Sequence, residues 1–193
     1  MLQSSAPFIY RTRGIYMFLA LVASIIIKAL SRGTTPMTLF VLGLVLIFIV
    51  QAFRMYSASF LWGRQAVRSP EAEFLCTSGP YAYVRNPLYL GNLLIGIGVC
   101  LTISEWYAYL LFLGSFALVY AVVIPYEEGF LTQKFGNAYT AYAAATGRLL
   151  PSRTPYLSPT PIRADFRAGI LGEIHAPVIL GVLEIVVYRL FAA

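Results

Sequence analysis

The chain has 193 residues, 59% of them hydrophobic and only 11% charged, with 14 Lys and Arg against 8 Asp and Glu for a formal net charge of +6. Together with a mean hydropathy of +0.74, this composition excludes an ordinary soluble domain. Arg residues fall between apolar runs and form no basic stripe, which argues against a nucleic-acid partner; two Cys and one His at no ligand spacing argue against a metal site or a disulfide framework.

A hydrocarbon core about 30 Å thick needs roughly 20 apolar residues per helical span, and the chain contains five candidate runs. Arg11 and Arg13 precede the first, residues 15–30, which reads as an anchor because no small-residue cleavage site ends it. Gly33, Thr34, Thr35 and Pro36 make a turn. The second run starts near Met37 and keeps a helix-compatible pattern past Gln51, Arg54 and Ser59 to Trp62. A polar connection over residues 63–86 carries Arg64, Arg68, Glu71, Glu73 and Arg85.

Asn86 followed by Pro87 has the grammar of a helix start: an N-cap, then a residue whose missing N–H is harmless at the first helical position. The third run spans residues 87–103. Gly91, Gly96 and Gly98 lie in it, the latter two reading as helix-packing positions. Arg85 beside the free amides of that helix start is an arrangement that favours a bound anion.

Ser104 is a candidate cap for the fourth run, residues 106–124, which meets Pro125 and then Tyr126, Glu127 and Glu128. A kink is expected at Pro125. Asn137 is a candidate cap for a short helix with Tyr139 and Tyr142 on one face, ended by Gly147 and Pro151. Residues 151–161 hold four prolines and read as an extended spacer. Residues 163–173 look interfacial, and residues 175–191 form a fifth run with Glu184 in its middle, serving either function or helix assembly. The expected organisation is a domain over residues 1–150, with a linker and a C-terminal helix over 151–193 packing on it.

With alternating spans, eleven Lys and Arg residues collect on one side and three (Lys28, Arg32 and Arg189) on the other. The N-terminus and the polar connections are therefore expected in the cytoplasm.

Gly79-Pro80-Tyr81-x-Tyr83-Val84-Arg85-Asn86-Pro87-x-Tyr89-x-Gly91, then Glu127-Glu128, then Phe135-Gly136-x-x-Tyr139-x-x-Tyr142 and Gly147-Arg148-Leu149-x-Pro151 form one ordered set. This set resembles the isoprenylcysteine carboxyl methyltransferase family and, more widely, phospholipid methyltransferases, over residues 74–151. The resemblance implies an all-α polytopic membrane enzyme with a cytoplasmic cap that binds S-adenosylmethionine and methylates a lipophilic acceptor entering from the bilayer lipids. The positions matching the cofactor site are Phe74, Leu75, Cys76, Tyr81, Asn86, Pro87, Leu88, Tyr89 and Glu127; Arg85 and Glu128 are the candidate catalytic residues. Such a ligand suits the residue types: a carboxylate for helix amides, an ammonium and a ribose for acidic residues, and an adenine and sulfonium for tyrosine faces.

Two departures stand out. Asn86 occupies the place where the family has His, and an amide cannot exchange a proton near neutral pH, so that residue is no general base. Val123 occupies the place of an Arg that meets the substrate carboxylate. Other readings are a sterol-reductase-like enzyme using NADPH, which shares a similar Arg-x-Pro-x-Tyr-x-Gly block, and a silent member that keeps only the fold. Read singly, Arg85 is a positive-inside anchor, the tyrosines an interfacial belt, and the acidic pair a solvated helix end.

Overall fold

A computed structural model describes residues 2–61 and 74–191. Trp62, Arg64, Arg68, Glu71 and Glu73 lie outside the described residues. Among the described residues seven helices follow in order: α1 (Leu2–Ser31), α2 (Met37–Ala58), α3 (Pro87–Ile103), α4 (Trp106–Phe135), α5 (Asn137–Ala145), α6 (Phe166–Glu173) and α7 (His175–Phe191), with a 3-10 turn at Gly79–Ala82. No strand occurs among the described residues, and the all-helical polytopic class is the one expected. All five apolar runs are helical. Within α1 the stretch Ala6–Ser31, together with α2 and α4, is long and apolar enough to cross a membrane. α6 and α7 meet that criterion only as a pair bent by 41°, and α3 is shorter, at 17 residues. The five expected spans are thus three long helices, one bent pair and one short apolar helix, in an integral membrane protein.

Several boundaries differ from expectation for local reasons. Ser104 does not cap α4: its backbone is left-handed (φ 60) and its amide bonds the Cys100 carbonyl at 2.8 Å, so it closes α3. α4 continues through Pro125 to Phe135. The cap of α5 is Gly136 (φ 53), not Asn137, and Thr146 rather than Gly147 ends the helix. Asp165 caps α6 by accepting from the Ala168 amide at 3.0 Å.

The described chain forms two compact units: Met1–Gln51 with Asn92–Val123 and His175–Ala193, and Ala52–Gly91 with Ile124–Ile174. The first holds most of the apolar helix length. Its helices approach closely where glycine allows: a Cβ on Gly43 would lie 2.5 Å from Thr102 and 2.6 Å from the Gly98 carbonyl, and one on Gly96 would enter the Phe112 ring. Both read as packing, as expected for Gly96 and Gly98. Buried Glu184 accepts from Thr102 Oγ1 at 3.2 Å, which joins α7 to α3. At one end of this unit Lys28, with no exposed side chain, donates to Thr35 Oγ1 (2.7 Å) and to the carbonyls of Thr34 and Ile103, and it pairs with Glu105 at 3.7 Å. The Thr35 amide in turn bonds the Phe191 carbonyl. The ends of α1, α3 and α7 therefore gather with the starts of α2 and α4.

The second unit carries the polar segments. The Arg54 guanidinium in α2 pairs with Glu173 of α6 at 2.6 Å and covers Gly91, where a Cβ would come within 2.4 Å of Arg54 Cγ. Gly169 lets α6 rest on the end of α2, since a Cβ there would stand 2.8 Å from the Met55 carbonyl and from Ser59 Cα. Residues 151–165 are no loose spacer. Ser152 and Tyr156 amides bond the Tyr83 and Ala82 carbonyls, the Ile162 amide bonds Ser78 Oγ, and the Asp165 amide bonds the Ser59 carbonyl, all at 2.8 Å. Proline removes donors from this stretch, but the residues between its prolines keep theirs and use them.

Candidate functional site

The site grows from the meeting of two extended stretches in the second unit. The Arg85 amide bonds the Gly147 carbonyl at 2.8 Å, and the Asn86 side-chain amide donates to the Arg148 carbonyl at 3.0 Å. Gly147 permits the turn beside it, since a Cβ would stand 2.0 Å from the Leu150 carbonyl. This pairing brings two arginines distant in sequence to one acid. Arg85 Nη2 is 3.3 Å from Glu128, and Arg148 makes a two-pronged contact with it, Nη2 at 2.7 Å and Nε at 3.0 Å. Bonding to Glu128 and its charge hold the Arg148 guanidinium above its usual pKa.

α3 starts at Pro87 as expected, and Pro87 is fully buried. The Asn86 carbonyl accepts from the amides of Tyr89 (3.1 Å) and Leu90 (3.0 Å), the backbone role of a cap. Within the first turn an incoming anion is left the Leu88 amide. Tyr89 donates its hydroxyl to Glu127 Oε1 at 2.6 Å. Arg85 also reaches α5, donating from Nη1 to the Ala143 carbonyl at 2.7 Å, and Tyr142 donates to the Tyr81 carbonyl at 2.7 Å. Tyr139 and Tyr142 do share a buried face, with ring centroids 6.2 Å apart. Burial raises the pKa of all three phenols, Tyr81, Tyr142 and Tyr139, to about 12 for Tyr139.

Cys76 and Tyr81 pack with Phe60 in a buried cluster against which Phe74 and Ile162 rest. Phe74 and Leu75 also line a cavity of about 410 Å³. Among the expected residues, Arg85 with Glu128 and Tyr89 with Glu127 form direct pairs, Asn86 joins them through Arg148, and Cys76 with Tyr81 forms a neighbouring apolar group. Leu88 lies half-buried in the first turn of α3. Sequence reasoning missed the joint capture of Glu128 by two arginines and the Arg54–Glu173 pair. An arginine inside an apolar helical run was the one signal for the latter.

The residues present fit an acceptor-rich ligand. The Tyr81 hydroxyl and the Arg85 Nε are buried with no hydrogen-bond partner among the described residues, which leaves two donors in this cluster. Carboxylate and hydroxyl oxygens, as carried by S-adenosylmethionine, satisfy such donors. No group of three His, Cys, Asp or Glu that could hold a metal ion occurs among the described residues.

Comparison with known proteins gives the lineage. The chain is 34% identical over 120 residues to the cobalt-zinc-cadmium resistance protein CzcN of Cupriavidus metallidurans, covering 61% of this chain and 51% of that protein. It is 32% identical over 92 residues to protein-S-isoprenylcysteine O-methyltransferase B of Arabidopsis thaliana, covering 48% of this chain and 45% of that protein. It is 30% identical over 139 residues to the nickel-cobalt-cadmium resistance protein NccN of Alcaligenes xylosoxydans xylosoxydans, covering 67% and 61%. The chain spans about half the length of the first of these relatives and of the plant enzyme. No solved structure matches it. The phospholipid methyltransferase family model matches residues 38–138, more than half of the chain, and the chain belongs to that family.

Proposed function

We propose that the protein is an S-adenosylmethionine-dependent membrane methyltransferase whose acceptor is a lipophilic molecule drawn from the bilayer, with its N-terminus and active site facing the cytoplasm. The observation that carries this reading is the pair of adjacent carboxylates on α4 with different partners. Glu128 is bound by two guanidiniums, and Glu127 accepts from the Tyr89 hydroxyl in the first turn of α3. Two adjacent acidic side chains beside the start of α3 suit a ligand that carries an ammonium and hydroxyl groups. They suit a dinucleotide poorly, because Arg85 and Arg148, the cations that would meet its phosphates, are both engaged by Glu128.

S-adenosylmethionine supplies the methyl group on a sulfonium, ready for transfer to a nucleophile. In this chain Glu127 would bind its ammonium or ribose, and the Leu88 amide, Tyr81 hydroxyl and Arg85 Nε are the donors suited to its acceptors. Arg85 and Glu128 hold the first turn of α3, α4 and α5 in register, and solvent or Glu128 would take up the acceptor's proton. The remaining requirement is alignment in a site that excludes water. The acceptor lacks a carboxylate in this reading, since Val123, fully buried one turn before Glu127, offers it no cation.

The test incubates membranes containing the chain with donor labelled in the methyl group and follows the label into the lipid-soluble fraction. Label transfer that requires Glu127 supports the reading. Tight binding of NADPH, with no binding of S-adenosylhomocysteine, overturns it.

A further inference from the structure

The segment between α5 and α6 has no regular structure, yet it is fastened along its length to residues 77–83. Besides the amide bonds of Ser152, Tyr156 and Ile162 to that stretch, Ser152 Oγ donates to the Tyr83 carbonyl and Thr77 Oγ1 to Ser158 Oγ, each at 2.8 Å. Such fastening makes the segment a wall. The cavity of about 410 Å³ lies between it and residues 74–77, with Phe74, Leu75, Pro161 and Ile162 as apolar sides and Tyr156 and Thr160 adding hydroxyl groups.

That volume lies within the roughly 300–1,000 Å³ of small-molecule sites. Apolar and ring-bearing sides with hydroxyls among them suit a flat heteroaromatic ring with a polar edge. A lipid tail is the poorer occupant, because every lining residue belongs to segments outside the candidate membrane spans. Phe74 and Ile162 also pack against the cluster of Phe60, Cys76 and Tyr81. The cavity thus adjoins the cluster that contains Tyr81, whose buried hydroxyl has no hydrogen-bond partner among the described residues.

We propose that this cavity is the nucleoside subsite of the methyl donor, and that residues 151–165 form its outer wall, which makes the C-terminal segment part of the cofactor site. The inference rests on the methyltransferase reading above. It assigns the purine to the cavity and gives Tyr156, Thr160, Pro161 and Ile162 a role in binding.

The experiment photolabels the full chain in detergent with 8-azido-S-adenosylmethionine, with and without excess S-adenosylhomocysteine, and maps the label after trypsin. Cleavage at Arg153 and Arg163 releases residues 154–163, and cleavage at Arg68 and Arg85 releases residues 69–85. Label in both peptides, suppressed by the competitor, is the expected result. Competed label confined to other peptides overturns the subsite while the methyl-donor reading stands; no competed label anywhere overturns both. In a second arm Ile162→Trp fills the cavity, whereas Leu157→Trp alters a side chain 86% exposed on the same segment. S-adenosylhomocysteine affinity falls at least tenfold for the first and is unchanged for the second. Equal affinities overturn the proposal, and should the first variant fail to fold, the photolabelling of the unaltered chain decides.

Discussion

Tyr89 and Glu127, 38 residues apart, are joined by a 2.6 Å hydrogen bond that ties the first turn of α3 to α4. The bond does two things: it orients the carboxylate, and it leaves its charge in place. Tyr89→Phe keeps the ring and removes the donor; Glu127→Gln keeps the shape and removes the charge. A lost hydrogen bond to a charged group costs about 1.5–3 kcal/mol, roughly tenfold or more in affinity. Calorimetry with S-adenosylhomocysteine is expected to give that loss for Glu127→Gln and a smaller one for Tyr89→Phe. Unchanged affinity in both variants would mean that Glu127 is not the ligand's partner.

The two arginines on Glu128 differ in burial and so in expected weight. The Arg85 side chain is 13% exposed and the Arg148 side chain 58%. An exposed pair contributes about 0–1 kcal/mol, whereas breaking a buried pair costs about 3–5 kcal/mol because a charge is stranded. Denaturant unfolding of single and double variants should give a larger coupling energy for Arg85 with Glu128 than for Arg148 with Glu128. The reverse order would assign the clamp to Arg148 and leave Arg85 as a tether for α5.

Much of this arrangement was readable in the chain because it is local. Asn86 and Pro87 mark the start of α3 through cap chemistry confined to two residues, and Tyr139 and Tyr142 share a face through helical spacing alone. The pairing of Arg85 with Glu128 was unreadable in the same way, since it depends on where two stretches 43 positions apart are brought together. Ser104 and Asn137 carried good cap chemistry, but caps also depend on backbone angles: Ser104 turned left-handed, and Gly136 reached its φ of 53 more easily than its neighbour. The prolines of residues 151–161 suggested a spacer because they rule out a helix. They do not rule out an extended segment whose other residues still donate, and Tyr156 and Ile162 do so.

Alkaline pH should loosen the second unit through its buried phenols. The Tyr139 phenol titrates near 10 in the unfolded chain, and burial pushes it up to about 12 in the folded protein. Between those values the unfolded chain has released a proton that the folded one retains, so unfolding becomes more favourable as pH rises; below pH 10 this group contributes no pH dependence. The loss from two units is on the order of 2–3 kcal/mol, and Tyr81 and Tyr142 act in the same direction. Thermal unfolding in detergent followed across pH 8–12 should show a midpoint that is flat and then falls, with a shallower fall in Tyr139→Phe. An unchanged slope in that variant would assign the alkaline sensitivity elsewhere.

In the proposed function the acceptor is not a carboxylate, and Val123 is the residue on which that part of the proposal rests. Val123 lies four residues before Glu127 in α4, between Val122 and Ile124, and has no exposed surface. Burying a carboxylate against such a stretch without a cation costs several kcal/mol, enough to exclude it as a substrate at ordinary concentrations. A neutral amine, thiol or hydroxyl on a lipophilic body carries no such penalty and still has a lone pair to accept the methyl group. With labelled donor, a membrane lipid extract and a farnesylated cysteine analogue offered side by side should therefore divide sharply. Label is expected in the lipid extract, in a product stable to mild base, and none in the farnesylated compound. Base-labile methyl ester on that compound would show that the carboxylate finds its cation on another element, and Arg85 would be the first residue to substitute in search of it.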